Sequence, residues 1–319
     1  MEDLGVRIIL WVQEFRTPAL DMLARGLSFL GDEPFYLLLI PVLYWAVDRS
    51  TGLRLTILFL VSAWLNALLK GWVDLPRPSP ADVAVLIPED GGGVPSGHAQ
   101  HAVVVWGYLL WVIREWGRSD SVARVRRMTR WALPAAIALI LLIGVSRIYL
   151  GVHFPHDVVV GWGVGAIYLA AWILAVERFG EAFRGALSKA VPVGVFAPFA
   201  LLWIYRGHTA LPAAATLLGA GIGAWFERRH LRFDSSGTLR RRLLRLLAGL
   251  PVAAAIWLGL RGVSWPSEDL ARTLRYSLLG FWLTAGAPFL FVRTGLAGRE
   301  QPQLDSADPA LATDGNAGR

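Results

Sequence analysis

Apolar residues fall along the chain in long blocks separated by short polar connections, and block length sets the first expectation. A bilayer core ~30 Å thick takes about 20 mostly apolar residues to cross as a helix. Blocks of that kind lie at roughly 34–47, 53–73, 97–113, 131–147 and 157–176. The first is short and is interrupted by Pro41. Four more follow near 191–205, 211–226, 243–260 and 274–292. Residues 4–15 differ: Leu4, Ile8, Trp11 and Phe15 form one helical stripe, with Arg7 and Glu14 on another. That pattern predicts an interfacial or tilted helix within residues 1–30. After residue 293 the chain is polar and contains Pro and Gly, so residues 294–319 are expected to be a disordered tail. The fold class expected is all-α, a polytopic integral membrane helical bundle.

Composition supports this reading. Of 319 residues, 55% are apolar and only 17% charged, with 15 tryptophans. Soluble domains carry about 25% charged residues. The deficit argues against a disordered chain, a nucleic-acid binder and a soluble enzyme. The net charge of +7 is explained by its placement. Arginines 114, 118, 124, 126, 127 and 130 crowd one connection, and arginines 228, 229, 232, 240, 241, 242 and 245 another. The positive-inside bias puts both in the cytoplasm. Counting spans from there puts the 74–96 and 148–156 loops together on the outer face. No cysteine is present, so disulfide and thiolate chemistry are excluded. The acidic start (Glu2, Asp3) predicts no cleavable signal peptide.

Those two outer loops gather the polar residues. Lys70 closes one span, and Arg77-Pro78 follows in the loop. Pro95-Ser96-Gly97-His98 opens the next span, and Ser146-Arg147, His153 and Asp157 bridge two later ones. Lys70, Arg77 and Arg147 supply three positive charges, and the arginines can grip phosphate oxygens in bidentate fashion. Ser96 suits an N-cap, and a helix N-terminus attracts an anion. Gly97 lets the backbone approach a ligand closely. Pro155 fits the first turn of a helix, with Asp157 placed to hydrogen-bond the His153 ring. A carboxylate on one ring nitrogen fixes the tautomer and makes the other a better nucleophile. His98 remains as general acid for a leaving oxygen.

The motifs K-x6-R-P, P-S-G-H and S-R-x5-H-x3-D, in that order, resemble the type 2 phosphatidic acid phosphatase family, which shares its site with vanadium haloperoxidases. All eleven fixed positions match, and the likeness covers about residues 28–178. The stretch GDEPFYLLLIPVLYW from Gly31 is also similar to the sphingosine-phosphate phosphatase branch. The resemblance implies a phosphatase core of about six helices over residues 31–180, with about four additional spans over 181–293. It implies His153 as the nucleophile forming a phosphohistidine, Asp157 as its support and His98 as the acid. Lys70, Arg77, Ser96, Gly97 and Arg147 would hold the phosphoryl group, with no metal or cofactor.

The expectation is therefore a multi-pass cell-membrane phosphatase acting on a lipid phosphate at the outer face. Candidate substrates are undecaprenyl diphosphate, phosphatidic acid, phosphatidylglycerol phosphate and a sphingoid-base phosphate; the branch resemblance favours a monophosphate. Two alternatives stand beside it: a lipid-phosphate carrier or flippase, and vanadate-dependent haloperoxidase chemistry. The pairs His98/His101 and His153/His156 have H-x-x-H spacing, which a metal could use. The neighbouring cations oppose one, so His101 and His156 are expected to line the mouth of the site. Gly161-x3-Gly165 and Gly219-x3-Gly223 allow close helix packing and a possible homodimer.

Overall fold

A computed structural model describes residues 2–119, 123–189, 191–205, 207, 210–260 and 266–300. Among these residues the fold is all-α, and its one β-type pairing is an isolated bridge between Phe233 and Arg299. The basic connection around residues 120–122 and the tail beyond Glu300 lie outside the described residues.

The N-terminal segment folds as two helices, α1 (Glu2–Gln13) and α2 (Pro18–Phe29), rather than one. The break has a local cause: Thr17 is extended, its hydroxyl accepts from the Leu20 amide, and Pro18 opens the new helix. Leu4, Trp11 and Phe15 of the expected stripe face outward, while Ile9 is buried. Helix α3 (Glu33–Val42) follows a bend of 54° between Pro18–Phe29 and Glu33–Val47. Pro41 supplies no amide to the helical ladder, and α3 ends in a π-helical turn, Leu43–Val47.

The long helices come next: α4 (Arg49–Val73), α5 (Gly97–Ser119), α6 (Ala123–Tyr149) and α7 (Pro155–Lys189), the last kinked at Gly180. Then come α8 (Val191–Ile204), α9 (Ala210–Phe226), α10 (Leu239–Gly259), α11 (Glu268–Phe281) and α12 (Ala287–Arg293). Among the described residues five helices are long and apolar enough to cross a membrane, or six if the bent pair is one span. Helices α5, α8 and α11 are not among the five.

Lipid is as apolar as leucine, so helix association here depends on close packing and internal hydrogen bonds. Both glycine patterns serve contacts within the chain. A Cβ on Gly161 would fall 2.6 Å from the Ser96 carbonyl oxygen, and one on Gly165 2.7 Å from that of Gln100. The pattern thus seats α7 against the start of α5, where the candidate site lies. A Cβ on Gly219 would fall 1.8 Å from the Ser277 carbonyl oxygen, packing α9 against α11.

At the opposite end, the fully buried Arg245 donates to the carbonyls of Trp45, Ser235, Ser236 and Leu296. This ties α10 to the π-turn after α3. The expected disordered tail starts later than residue 294. Asp234 donates to Gly298, Glu300 donates to Arg232, and Arg49 pairs with Glu300 at 2.8 Å. Backbone pairing orders a stretch whose side chains have little to bury.

Candidate active site

The chain brings its three polar clusters to one end of the bundle. Asp157 organises the third. As the third residue of α7 its Oδ2 accepts from the Phe154 amide at 2.9 Å, a carboxylate reaching back to cap its own helix. The same oxygen lies 3.1 Å from His153 Nδ1. With Asp157 accepting there, Nδ1 carries the proton and His153 Nε2 keeps its lone pair. Nε2 faces Arg77, 3.0 Å from Nη1.

Arg77 stitches the two outer loops together. It donates to the carbonyls of Gly91 (3.0 Å), Asp90 (3.1 Å) and Val152 (3.0 Å). Lys70, in the last turn of α4, donates to the Gly92 carbonyl at 2.8 Å. Asp74, left-handed with φ 43°, ends α4 and turns the chain into the loop.

Ser96 occupies the N-cap position of α5, since its carbonyl accepts from the Gln100 amide at 3.0 Å. The expected side-chain cap does not form: Ser96 Oγ is buried with no hydrogen-bond partner. Instead the turn is held from behind by buried amides. Asn66 Nδ2 donates to the Pro95 carbonyl (3.2 Å) and to Gln100 Oε1 (2.9 Å), while Gln100 Nε2 donates to Ser62. Gly97 lies so close to Asn66 that a Cβ would meet Oδ1 at 3.1 Å. A buried hydroxyl kept free at a helix N-terminus is a donor available to an anion.

Arg147 is fully buried. Its guanidinium reaches Ser28 Oγ and Glu89 Oε1. Glu89 also lies 3.4 Å from Arg77 Nη2, so this carboxylate bridges two of the expected phosphate-holding arginines. Burial pushes the Glu89 carboxyl up, but the charges of Arg147, His98 and Arg77 outweigh it and hold it below the usual carboxylate range.

His98 Nε2 lies 2.6 Å from Asp32 Oδ1. Ligand atoms of Asp32, Glu89 and His98 all fall within 4.8 Å of one another, a spacing that admits a cation. Glu89, however, is already engaged by two guanidinium groups, whose charge opposes one. His101 does not line the mouth: it packs 5.1 Å from the Phe59 ring and 6.2 Å from Tyr36, and its Nε2 has no hydrogen-bond partner. His156 Nε2 lies 3.1 Å from Asp157 Oδ1, an ion-pair distance without hydrogen-bond alignment, and its ring stacks on Phe154.

All eight expected site residues thus meet in one region, and the structure adds Ser28, Asp32 and Glu89. A signal for Asp32 was present: a carboxylate at the start of a span is costly without a partner, the argument that singles out Asp157.

Burial first, then Arg77, Lys70, Arg147 and His98, push the His153 ring well below the ordinary histidine value of 6.5. The sign follows directly. As pH falls through 6.5 the ring stays neutral and keeps its Nε2 lone pair. The acid limb of kcat/KM should therefore lie below 6.5 once substrate ionisation is allowed for. A limb at 6.5 or above, measured with a phosphate ester, would contradict this electrostatic picture.

Comparison with known proteins places this geometry in context. A family described as "PAP2 superfamily" matches residues 51–181, and one described as "PAP2 superfamily phosphatase, transmembrane extension" matches 211–299. The chain is 27% identical over 268 residues to lipid phosphate phosphatase delta of Arabidopsis thaliana, covering 77% of this chain and 64% of that protein. It is 30% identical over 156 residues to phosphatidylglycerophosphatase B of Bacillus subtilis, covering 48% and 73%. It is 26% identical over 234 residues to a dihydrosphingosine 1-phosphate phosphatase of Schizosaccharomyces pombe, covering 69% and 56%. The chain spans less than two thirds of the Arabidopsis and Schizosaccharomyces proteins. With one match carrying the catalytic motifs and a second covering most of the C-terminal helices, the chain belongs to the PAP2 superfamily.

Proposed function

We propose that this protein is a membrane phosphatase that removes phosphate from a phosphomonoester or diphosphate lipid at the outer membrane face. The observation that carries the reading is the triad Asp157 Oδ2–His153 Nδ1 at 3.1 Å and His153 Nε2–Arg77 Nη1 at 3.0 Å. A ring nitrogen with a lone pair thereby faces a guanidinium that would hold a phosphoryl oxygen. The printed names of the three relatives, all phosphatases of lipid phosphates, support the substrate class.

His153 Nε2 attacks phosphorus, the P–O bond to the lipid breaks, and His98 gives its proton to the departing oxygen. Water then attacks the phosphohistidine, returning its proton to His98 and releasing inorganic phosphate. Lys70, Arg77, Arg147, Ser96 Oγ and the Gly97 backbone stabilise charge on the phosphoryl oxygens, the main work in phosphoryl transfer. Substrate phosphate takes over the arginines from Glu89. Three fixed cations supply the neutralisation a metal would give, so the mechanism runs without one. The arginine-rich connection at 228–242 supports an active site on the opposite, outer side.

The test is phosphate release by the purified, detergent-solubilised protein across undecaprenyl diphosphate, phosphatidic acid, phosphatidylglycerol phosphate and sphingosine phosphate. Release with at least one, unchanged by EDTA, is expected. Binding without release would make the protein a carrier. Loss of activity with EDTA and recovery with zinc would make the Asp32–Glu89–His98 cluster a metal site.

A further inference from the structure

The helices from α9 onward carry no clustered ionisable residues within their apolar segments, yet they reach the site through one turn. Glu33, the first residue of α3, accepts from Tyr276 OH of α11 at 2.9 Å and from Trp257 Nε1 of α10 at 3.0 Å. The residue before it is Asp32. An aspartate at an N-cap ordinarily accepts from an amide of its own helix. Asp32 makes no such bond; its Oδ1 instead lies 2.6 Å from His98 Nε2. Gly31 completes the contact, because a Cβ there would fall 2.6 Å from His98 Cδ2. One tripeptide therefore touches the His98 ring face, engages its Nε2, and is tethered to the C-terminal helices.

We propose that Asp32 is a positioning residue that holds His98 ready to protonate the leaving oxygen, and that α10 and α11 fix Asp32 in place through Glu33. This rests on the phosphatase reading above. With Nε2 bound to Asp32, the ring is fixed and Nδ1 is the nitrogen that serves the leaving oxygen. The charged groups facing His98 are Asp32 from the turn before α3, Glu89 from the outer loop and Arg147 from α6. Asp32 and Glu89 favour the imidazolium and Arg147 opposes it. Removing the Asp32 charge tips this balance and weakens the acid.

Leaving-group dependence tests the proposal. An alkyl phosphate needs a proton on its leaving oxygen, whereas p-nitrophenolate departs without one. Asp32→Asn should lower kcat for phosphatidic acid by about 10²-fold, the range for loss of general-acid assistance, and p-nitrophenyl phosphate turnover by no more than about threefold. The alkaline limb for phosphatidic acid should also move to lower pH. Equal losses on the two substrates, or no loss on either, would overturn the positioning role. The double variant Trp257→Phe/Tyr276→Phe should show the same substrate bias at roughly tenfold, since small displacements of a catalytic group are costly. Wild-type behaviour there would remove the C-terminal helices from the proposal. A wild-type protein inactive on both substrates, or a His153→Ala variant that keeps turnover, would instead sink the phosphatase reading itself.

Discussion

His153→Ala reduces phosphate release from every lipid substrate by roughly 10⁴-fold or more while leaving the unfolding midpoint near that of the parent. Losing a covalent nucleophile removes the attack step, and losses of that order are typical. Each factor of ten is about 1.4 kcal/mol of barrier, so more than about 5 kcal/mol rests on one ring nitrogen. The fold tolerates the change because Asp157 keeps its bond from the Phe154 amide and its contact with His156. The double reading of rate and midpoint matters. A midpoint that collapses together with activity would mean His153 is needed for folding, not for attack.

Arg147→Met is the second large effect, and it acts on both quantities. Breaking a buried ion pair by deleting one partner costs about 3–5 kcal/mol, because the other charge is stranded. Here the Arg147 side chain is 0% exposed and Glu89 is 23% exposed, with Arg77 still 3.4 Å away from the carboxylate. Water and Arg77 relieve part of the penalty, so about 2–3 kcal/mol is expected. Removal of one positive charge aimed at the transition state adds a loss of roughly 10²–10³-fold in kcat. Arg147→Lys does not restore either quantity fully, since one ammonium lacks the planar fork that reaches Ser28 and Glu89 together. Detergent-phase unfolding and kcat on the same preparations check both statements. A methionine variant as stable and active as the parent would contradict them.

The bundle was largely legible because block length and apolar content are local properties, and helices α4 to α11 begin and end near the expected positions. Its irregularities were less so. The Thr17-Pro18 start of α2 carried a readable cap signal within a segment taken as one helix. The π-helical turns at Leu43–Val47, Glu227–Leu231 and Trp282–Gly286 have no spacing signature; tertiary packing decides them. The three motifs exposed eight site residues because each holds its members within a few positions. Asp32, Glu89 and Ser28 escaped because they pair across 66, 58 and 119 residues. The same holds for the C-terminal helices, whose Trp257 and Tyr276 reach Glu33 across 224 and 243 residues. Pattern reading finds what is periodic or clustered. Long-range pairing of single polar side chains is neither, and it supplies much of the support around this site.

The central claim is that His153 Nε2 forms a bond to phosphorus, and trapping that bond tests it most directly. The purified protein is mixed with a lipid carrying ³²P in its phosphate, quenched in alkali, where phosphohistidine survives, and digested. The account predicts label on the peptide containing His153, with none in His153→Ala and accumulation where hydrolysis is slowed. Label on a different residue, or steady phosphate release with no labelled protein at any quench time, would contradict it.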